Sequence, residues 1–365
     1  MMDLTRSIDK KWMTSRLTGP TAFHFLTQVN ESALLQALLL PHQKQTNNMK
    51  AAVFQHYGSP DVLKIRDIQK PTPKDQEILV RIHATAVNSG DVRLRKADPF
   101  AVRFMLGLFR PRIKVLGGVF SGQVEAVGKH VTKYKVGDEV FGSTDFKFGA
   151  YAEYKCFPED AAMAIKPGAL SHAEAAVIPF GGATALYFLK KANIVKGQKI
   201  LIYGASGAVG TAAVQLARYF GADVTAVSGP SNLERVKSLG AHKVIDYTHK
   251  SWTEELGQYD VIYDTVNKLP LSLGFSRLKS KGTMILGAAA MPEMMAGLWK
   301  SLFGSAKVRM GVTKQDAGDI NFLAERVKEG KLQPVIDRSY PLEQIAAAHA
   351  YVDQGHKQGN VAIMM

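Results

Sequence analysis

Residues 200–210 read Ile200-Leu201-Ile202-Tyr203-Gly204-Ala205-Ser206-Gly207-Ala208-Val209-Gly210. An apolar run enters a turn of small residues and passes straight into a segment whose Val209, Ala213, Leu216 and Phe220 lie along one side of a helix. Small side chains are needed here for physical reasons. Ala205-Ser206 lets the turn be tight, Gly207 lets backbone N–H groups approach a diphosphate, and Gly210 lets the helix pack close to the sheet. The helix start adds unpaired donors and the positive end of the helix dipole. A glycine motif alone says little; one joining strand to helix within a run of similar units points to a dinucleotide.

The flanking sequence supplies that run. Ser171-His172-Ala173-Glu174 is a capping-box pattern opening a long helix. Short apolar strands are expected at Lys199–Tyr203, Asp223–Val227, Val244-Ile245, Asp260–Tyr263 and Thr283–Leu286, with helices at 231–239 and 269–279. This alternation predicts a doubly wound parallel sheet. After about residue 315 a helix, a strand (Pro334–Ile336), a helix (Leu342–Asp353) and a last strand (Asn360–Ile363) follow. Upstream, 49–170 reads as short strands cut by Gly and Pro: Met49–Phe54, Ile78–Ala84, Gln123–Val127, Val140-Phe141 and Ala150–Phe157.

Composition narrows the function classes. The 365 residues, 46% hydrophobic and 21% charged, exclude a disordered chain, a collagen or a coiled coil. No apolar run approaches the ~20 residues that span a bilayer, so no membrane partner is expected. The single cysteine, Cys156, rules out an internal disulfide or a Cys-rich zinc knuckle. Forty-six Lys and Arg against 32 Asp and Glu give a net +14, but the charge is diffuse, so nucleic acid is not expected as a partner. Residues 1–48 are read as an N-terminal extension with no fold of its own. Asp3, Asp9 and Glu31 count against a transit peptide, and a cytoplasmic location is expected.

Two choices follow from the loop. Gly204-Ala205-Ser206-Gly207-Ala208 nearly spells a hydrolase nucleophile elbow, but that motif needs glycine at 208. The second strand ends Ala226-Val227-Ser228-Gly229-Pro230-Ser231-Asn232 with no carboxylate to repel a 2′-phosphate. Ser228, Ser231 and Asn232 can donate hydrogen bonds there, and NADPH is favoured over NADH.

The chain from Met49 to Met365 resembles the medium-chain dehydrogenase/reductase superfamily in its zinc-independent, quinone-oxidoreductase-like branch. The matching stretches include Gly58-Ser59-Pro60-Asp61-Val62-Leu63, Val87-Asn88-Ser89-Gly90-Asp91, Lys135-Val136-Gly137-Asp138-Glu139-Val140-Phe141-Gly142, Gly149-Ala150-Tyr151-Ala152-Glu153-Tyr154 and the phosphate loop. The resemblance implies an α/β chain: a GroES-like β-rich catalytic domain, 49–172 plus 313–365, with an inserted Rossmann domain, 173–312. The catalytic zinc positions of related alcohol dehydrogenases fall on Asn88, Gly118 and Phe180, none of which ligates zinc, so no metal is expected. Without that Lewis acid, the acceptor implied is a small apolar electrophile, a quinone or a C=C conjugated to a carbonyl, reduced by NADPH.

Site residues carried over by resemblance are Asn88 near the nicotinamide ribose or substrate oxygen and Thr184 on the nicotinamide side. Gly204, Ala205, Ser206, Gly207, Ala208 and Val209 line the phosphates, Tyr247 reaches the adenosine phosphate, and Thr265, Val266, Gly287 and Ala288 wall the ribose and nicotinamide. Asp91 is expected to order its loop, and Arg93, where relatives often carry tyrosine, is a candidate donor to the acceptor oxygen. Relatives also often carry glycine where this chain has Asn267. The apolar stretches Phe100–Phe109 and Met291–Phe303 are candidate pocket walls. A homodimer is compatible with the resemblance. An enoyl-thioester reductase or an NADP-dependent alcohol dehydrogenase-like enzyme uses the same scaffold, and a non-enzymatic nucleic-acid binder is the remote alternative.

Overall fold

The computed structural model describes residues 47–287, 306–311 and 313–365. Nearly all of the 1–48 extension, Ala288 and the Met291–Phe303 stretch lie outside the described residues. Strands β1 (Asn48–Val53) and β2 (Lys64–Gln69) form an antiparallel pair. Then come β3 (Glu77–Val87), helices α1 (Ser89–Lys96) and α2 (Val102–Leu106), β4 (Val119–Val127), β5 (Glu139–Ser143), β6 (Tyr154–Pro158) and β7 (Met163–Ile165). One edge of β3 is shared between two partners. Its first half pairs with β6, and its second half, Ala84–Val87, pairs with a strand from the far end of the chain.

Helix α3 (His172–Ala192) begins as the capping box predicts: Ser171 Oγ accepts from the Glu174 N–H, and Glu174 Oε2 accepts from the Ser171 N–H. It carries Pro179, Gly181 and Gly182 in its interior, residues that weaken a helix. At Gly181 the reason is packing: a Cβ there would stand 2.3 Å from the Ala208 carbonyl oxygen.

Strand β8 (Lys199–Tyr203) and helix α4 (Ala208–Tyr219) then lead into β9 (Asp223–Ser228), α5 (Leu233–Ser238), β10 (Lys243–Asp246), β11 (Tyr259–Asp264), α6 (Leu271–Ser276), β12 (Leu278–Leu286) and β13 (Lys307–Met310). These strands make a six-stranded parallel sheet ordered β10-β9-β8-β11-β12-β13. Ile200, Leu201 and Ile202 have no exposed surface. That is what a strand covered on both faces requires, and each such side chain contributes ~1.5–3 kcal/mol. Helix α7 (Ala317–Lys328), β14 (Ile336–Pro341), α8 (Ile345–Asp353) and β15 (Asn360–Met364) return the chain to the other sheet. That sheet is seven-stranded, ordered β14-β15-β3-β4-β5-β7 with β6 on β3.

Three expected elements differ. The strand expected at Ala150–Phe157 runs Tyr154–Pro158. Gly149 is left-handed (φ +97), Tyr151 is completely buried, and Ala152 makes only an isolated bridge to Ala51. The strand expected at Pro334–Ile336 is Ile336–Pro341, because the Val335 carbonyl is taken by the backbone and side-chain N–H groups of Asn360 before the ladder begins. The helix expected over 269–279 stops at Ser276, and Leu278 already belongs to β12.

Candidate functional site

In the parallel sheet, chain order reverses between β8 and β11, which leaves a crevice at their carboxyl ends. The phosphate loop fills one side of it. Gly204 is left-handed (φ +79), and its N–H and that of Ala205 both donate to the Val227 carbonyl. Gly207 caps α4 without any side-chain acceptor for the first-turn N–H groups. A Cβ on Gly207 would find nothing closer than 3.6 Å, so the space above the helix start is open. Gly210 is the opposite case, with a virtual Cβ 2.1 Å from the Gly204 carbonyl oxygen.

The other wall is built on Asp264, which sequence reasoning missed. Its buried carboxylate accepts from the N–H groups of Val266, Asn267 and Leu269 and so folds the loop after β11. Burial pushes its pKa up, against those hydrogen bonds. Asn267 is left-handed (φ 56), a conformation asparagine tolerates, which accounts for its place where glycine is common. Thr265 Oγ1 donates to the Tyr203 and Gly204 carbonyls and ties this loop to the phosphate loop.

A cavity of about 340 Å³ opens between these walls. It gathers Gly204, Ser206, Gly207, Ala208, Val209, Ser228, Tyr247, Thr265 and Val266 from the expected residues, with Arg93 and Ser89 from α1. Ala205 is fully buried beneath the loop, and Thr184 is buried within α3; neither lines the cavity. Ser231 accepts from Gln358 Nε2 and Asn232 lies beside it, both just off the cavity. Gly287 donates its N–H to the Asp264 carbonyl and is likewise set back, while Ala288 lies outside the described residues. Phe100, Phe104 and Phe109 are exposed and take no part in this cavity. Phe180, Lys268, His356 and Lys357 line it without having been expected there. Among the described residues the lining therefore holds three cations, Arg93, Lys268 and Lys357, and no carboxylate.

Beside the cavity, Asn88 caps α1. It is buried, its N–H donates to Asp91 Oδ2 at 2.9 Å, and its Nδ2 has no partner. An orphaned donor beside an open cleft is what a ligand would satisfy. Burial pushes the Asp91 carboxyl up to about 6, against hydrogen bonds from Asn88, Tyr151 and Gly117. This value lies above the ~3.9 of an unfolded aspartate, so the folded state binds its proton first. Stability from this group is present below about pH 4 and is lost as pH rises through about 6. In the isosteric Asp91→Asn variant that part of the slope disappears. Melting temperatures of both proteins across pH 4–7 check this, and an unchanged slope would assign the pH dependence elsewhere.

Among the described residues no cluster of three or more His, Cys, Asp or Glu could hold a metal ion. Asn88, Gly118 and Phe180 themselves offer no thiolate, imidazole or carboxylate. The site does fit a dinucleotide: open space and uncapped N–H groups at the start of α4, an orphaned amide and a cationic lining.

Residues 74–167 match the family described as "Alcohol dehydrogenase GroES-like domain", and residues 239–363 match "Zinc-binding dehydrogenase". The chain is 33% identical over 333 residues to the 2-methylene-furan-3-one reductase of Solanum lycopersicum, covering 87% of this chain and 79% of that protein. It is 30% identical to an NADPH-dependent alkenal/one oxidoreductase, chloroplastic, of Arabidopsis thaliana, covering 86% and 79%. The solved quinone oxidoreductase from Coxiella burnetii superposes with a TM-score of 0.78 at 28% identity, covering 87% of this chain and 99% of the other.

Proposed function

The chain belongs to the medium-chain dehydrogenase/reductase family, in its quinone-oxidoreductase-like branch, and we propose that it transfers a hydride from NADPH to a quinone or an α,β-unsaturated carbonyl (alkenal or enone) without zinc. The observation that carries this reading is the cleft lined by Arg93, Lys268 and Lys357 in which the uncapped start of α4 faces residues of α1. NADPH, when bound, supplies the hydride. The protein's part is to hold donor and acceptor at reacting distance and to exclude water. Gly204, Ser206, Gly207, Ala208 and Val209 hold the diphosphate, Ser228, Ser231 and Asn232 border the 2′-phosphate, and Tyr247 covers the adenosine side. Thr265 and Val266 wall the ribose and nicotinamide, with Gly287 set behind them. Asn88 presents its unpaired amide to the nicotinamide ribose or the acceptor oxygen. Arg93 donates to that oxygen as negative charge develops, and the proton comes from solvent.

Metal-free chemistry is supported by the non-ligating side chains at Asn88, Gly118 and Phe180. A cytoplasmic location is carried only by the acidic residues of 1–48, and organellar import of a 1–48 fusion would overturn it. A homodimer belongs to the same reading, and light scattering tests it.

The deciding experiment is a panel of quinones, alkenals and a crotonyl thioester with NADPH and with NADH. Oxidation of NADPH by a quinone or alkenal, faster than of NADH, is expected. Turnover of the thioester alone would reassign the enzyme as an enoyl-thioester reductase. Stoichiometric zinc in the active protein would remove the metal-free route.

A further inference from the structure

The start of α4 offers a diphosphate roughly half a positive charge and a set of N–H groups, while the ligand brings two negative charges. A full cation nearby would offset the remaining charge, and the parallel sheet's own phosphate loop, Gly204–Gly210, contains none. The segment after α8 brings one. Lys357 lines the cleft together with Ser206, Gly207 and Ala208. Its Nζ donates to the Gly359 carbonyl at 2.6 Å, and Gly359 forms an isolated parallel bridge with Gly207, the cap of α4. The ammonium is thus one hydrogen bond and one backbone bridge from the mouth of the helix.

This segment is fixed from three directions. Gln358 N–H donates to Asp337 Oδ2, Gln358 Nε2 donates to Ser231 Oγ, and Arg235 donates to the Gln358 carbonyl. Gly359 is left-handed (φ +104), and a Cβ on it would sit 2.5 Å from the Val335 carbonyl oxygen, so the close approach to Gly207 depends on glycine. Arg235, the basic residue nearest the 2′-phosphate side in sequence, is spent on this clamp. Burial draws the Lys357 ammonium down to about 8, with Asp337 opposing. Among the described residues its hydrogen-bond acceptor is an uncharged carbonyl, so an anion arriving in the cleft gains a charge-assisted partner.

We infer that Lys357 is the cation that neutralises the dinucleotide's diphosphate, so that tight cofactor binding depends on a residue outside the parallel sheet. This rests on the dinucleotide reading above.

The test is calorimetric binding of NADPH, NADH and adenosine 2′-monophosphate (which has no diphosphate) to the wild type, Lys357→Gln and Lys357→Arg. Lys357→Gln should weaken both dinucleotides by a similar factor, about tenfold to a hundredfold, and leave adenosine 2′-monophosphate unchanged. Lys357→Arg should retain affinity within a few-fold. An equal melting temperature for the ligand-free variants shows that the loss is not one of folding. Weakening of NADPH with NADH unchanged would move Lys357 to the 2′-phosphate, and no change in either would remove it from the site; both overturn the inference. A wild type that binds neither dinucleotide defeats the proposed function instead.

Discussion

Gly210→Ala should be the most damaging single methyl group that can be added to the cofactor site. The new Cβ would meet the Gly204 carbonyl oxygen at 2.1 Å, Ala205 Cα at 2.7 Å and the Ala205 carbonyl carbon at 2.8 Å. All three are backbone atoms of the loop between β8 and α4, so no side chain can swing aside. The loop cannot move freely either, because the Gly204 and Ala205 N–H groups are both held by the Val227 carbonyl. Overpacking of this kind costs about 1–3 kcal/mol and sometimes more, and the upper end is expected here. Loop displacement also spoils the diphosphate cradle, so dinucleotide affinity should fall at least about tenfold, the equivalent of 1.4 kcal/mol. Urea unfolding and calorimetric NADPH titration measure the two effects. Gly168→Ala serves as control, since its Cβ would meet nothing within 4 Å. A Gly210→Ala protein matching that control in both measurements would refute the packing argument.

Arg95→Met is expected to cost ~3–5 kcal/mol, the usual result of removing one partner from a buried ion pair. The Arg95 side chain is fully buried on α1 and bonds to three places: the Gly58 carbonyl, Asp353 Oδ2 at 2.5 Å and His349 Nδ1 at 3.3 Å. Because arginine only donates, His349 Nδ1 must accept, which puts the ring proton on Nε2. Nε2 then donates to Tyr151 Oη at 3.2 Å, and Tyr151 donates to Asp91. Burial and the adjacent guanidinium push His349 down to about 3, in keeping with that neutral tautomer. The four side chains form one polarised line from α8 to the residue that caps Asn88. Removing the guanidinium should also let His349 titrate closer to neutrality, visible by NMR. Arg95→Lys keeps the charge but not the fork and should fall between wild type and Arg95→Met. A loss below about 1 kcal/mol in Arg95→Met, by urea unfolding, would show that the line contributes little.

These two residues mark what the sequence reveals and what it hides. Gly210 is legible because its requirement is local: strand, turn and helix are contiguous, and small residues are needed within eleven positions. Five of the six strands of the parallel sheet are legible for a similar reason, as short, mostly apolar runs between helices; β13, Lys307–Met310, carries two charges in four residues and does not stand out. Arg95 is not, for it stands among Arg93 and Lys96 and looks like one more charge on a solvated helix; its burial is imposed by α8. Lys357 and His356 escape for the same cause, since they reach the cleft through tertiary contacts with residues far upstream. Tyr151 interrupts an expected strand because its N–H donates to the Leu116 carbonyl and its own carbonyl accepts from Ala52, away from the ladder that β6 makes with β3. Asp264 reads as the end of an apolar strand, and only the three N–H groups it collects reveal that it shapes the wall.

The bridge between Gly207 and Gly359 has a bearing on how the molecule is made. A nascent chain leaving the ribosome exposes its glycine turn long before the segment around Gly359 has been synthesised. If the cleft takes a dinucleotide as proposed, the ligand meets an unfinished socket until that segment arrives and lends no protection, because a ligand stabilises only the form that binds it. Prematurely terminated products would therefore stay open to proteases even in a cell rich in reduced nucleotide, while finished molecules are sheltered.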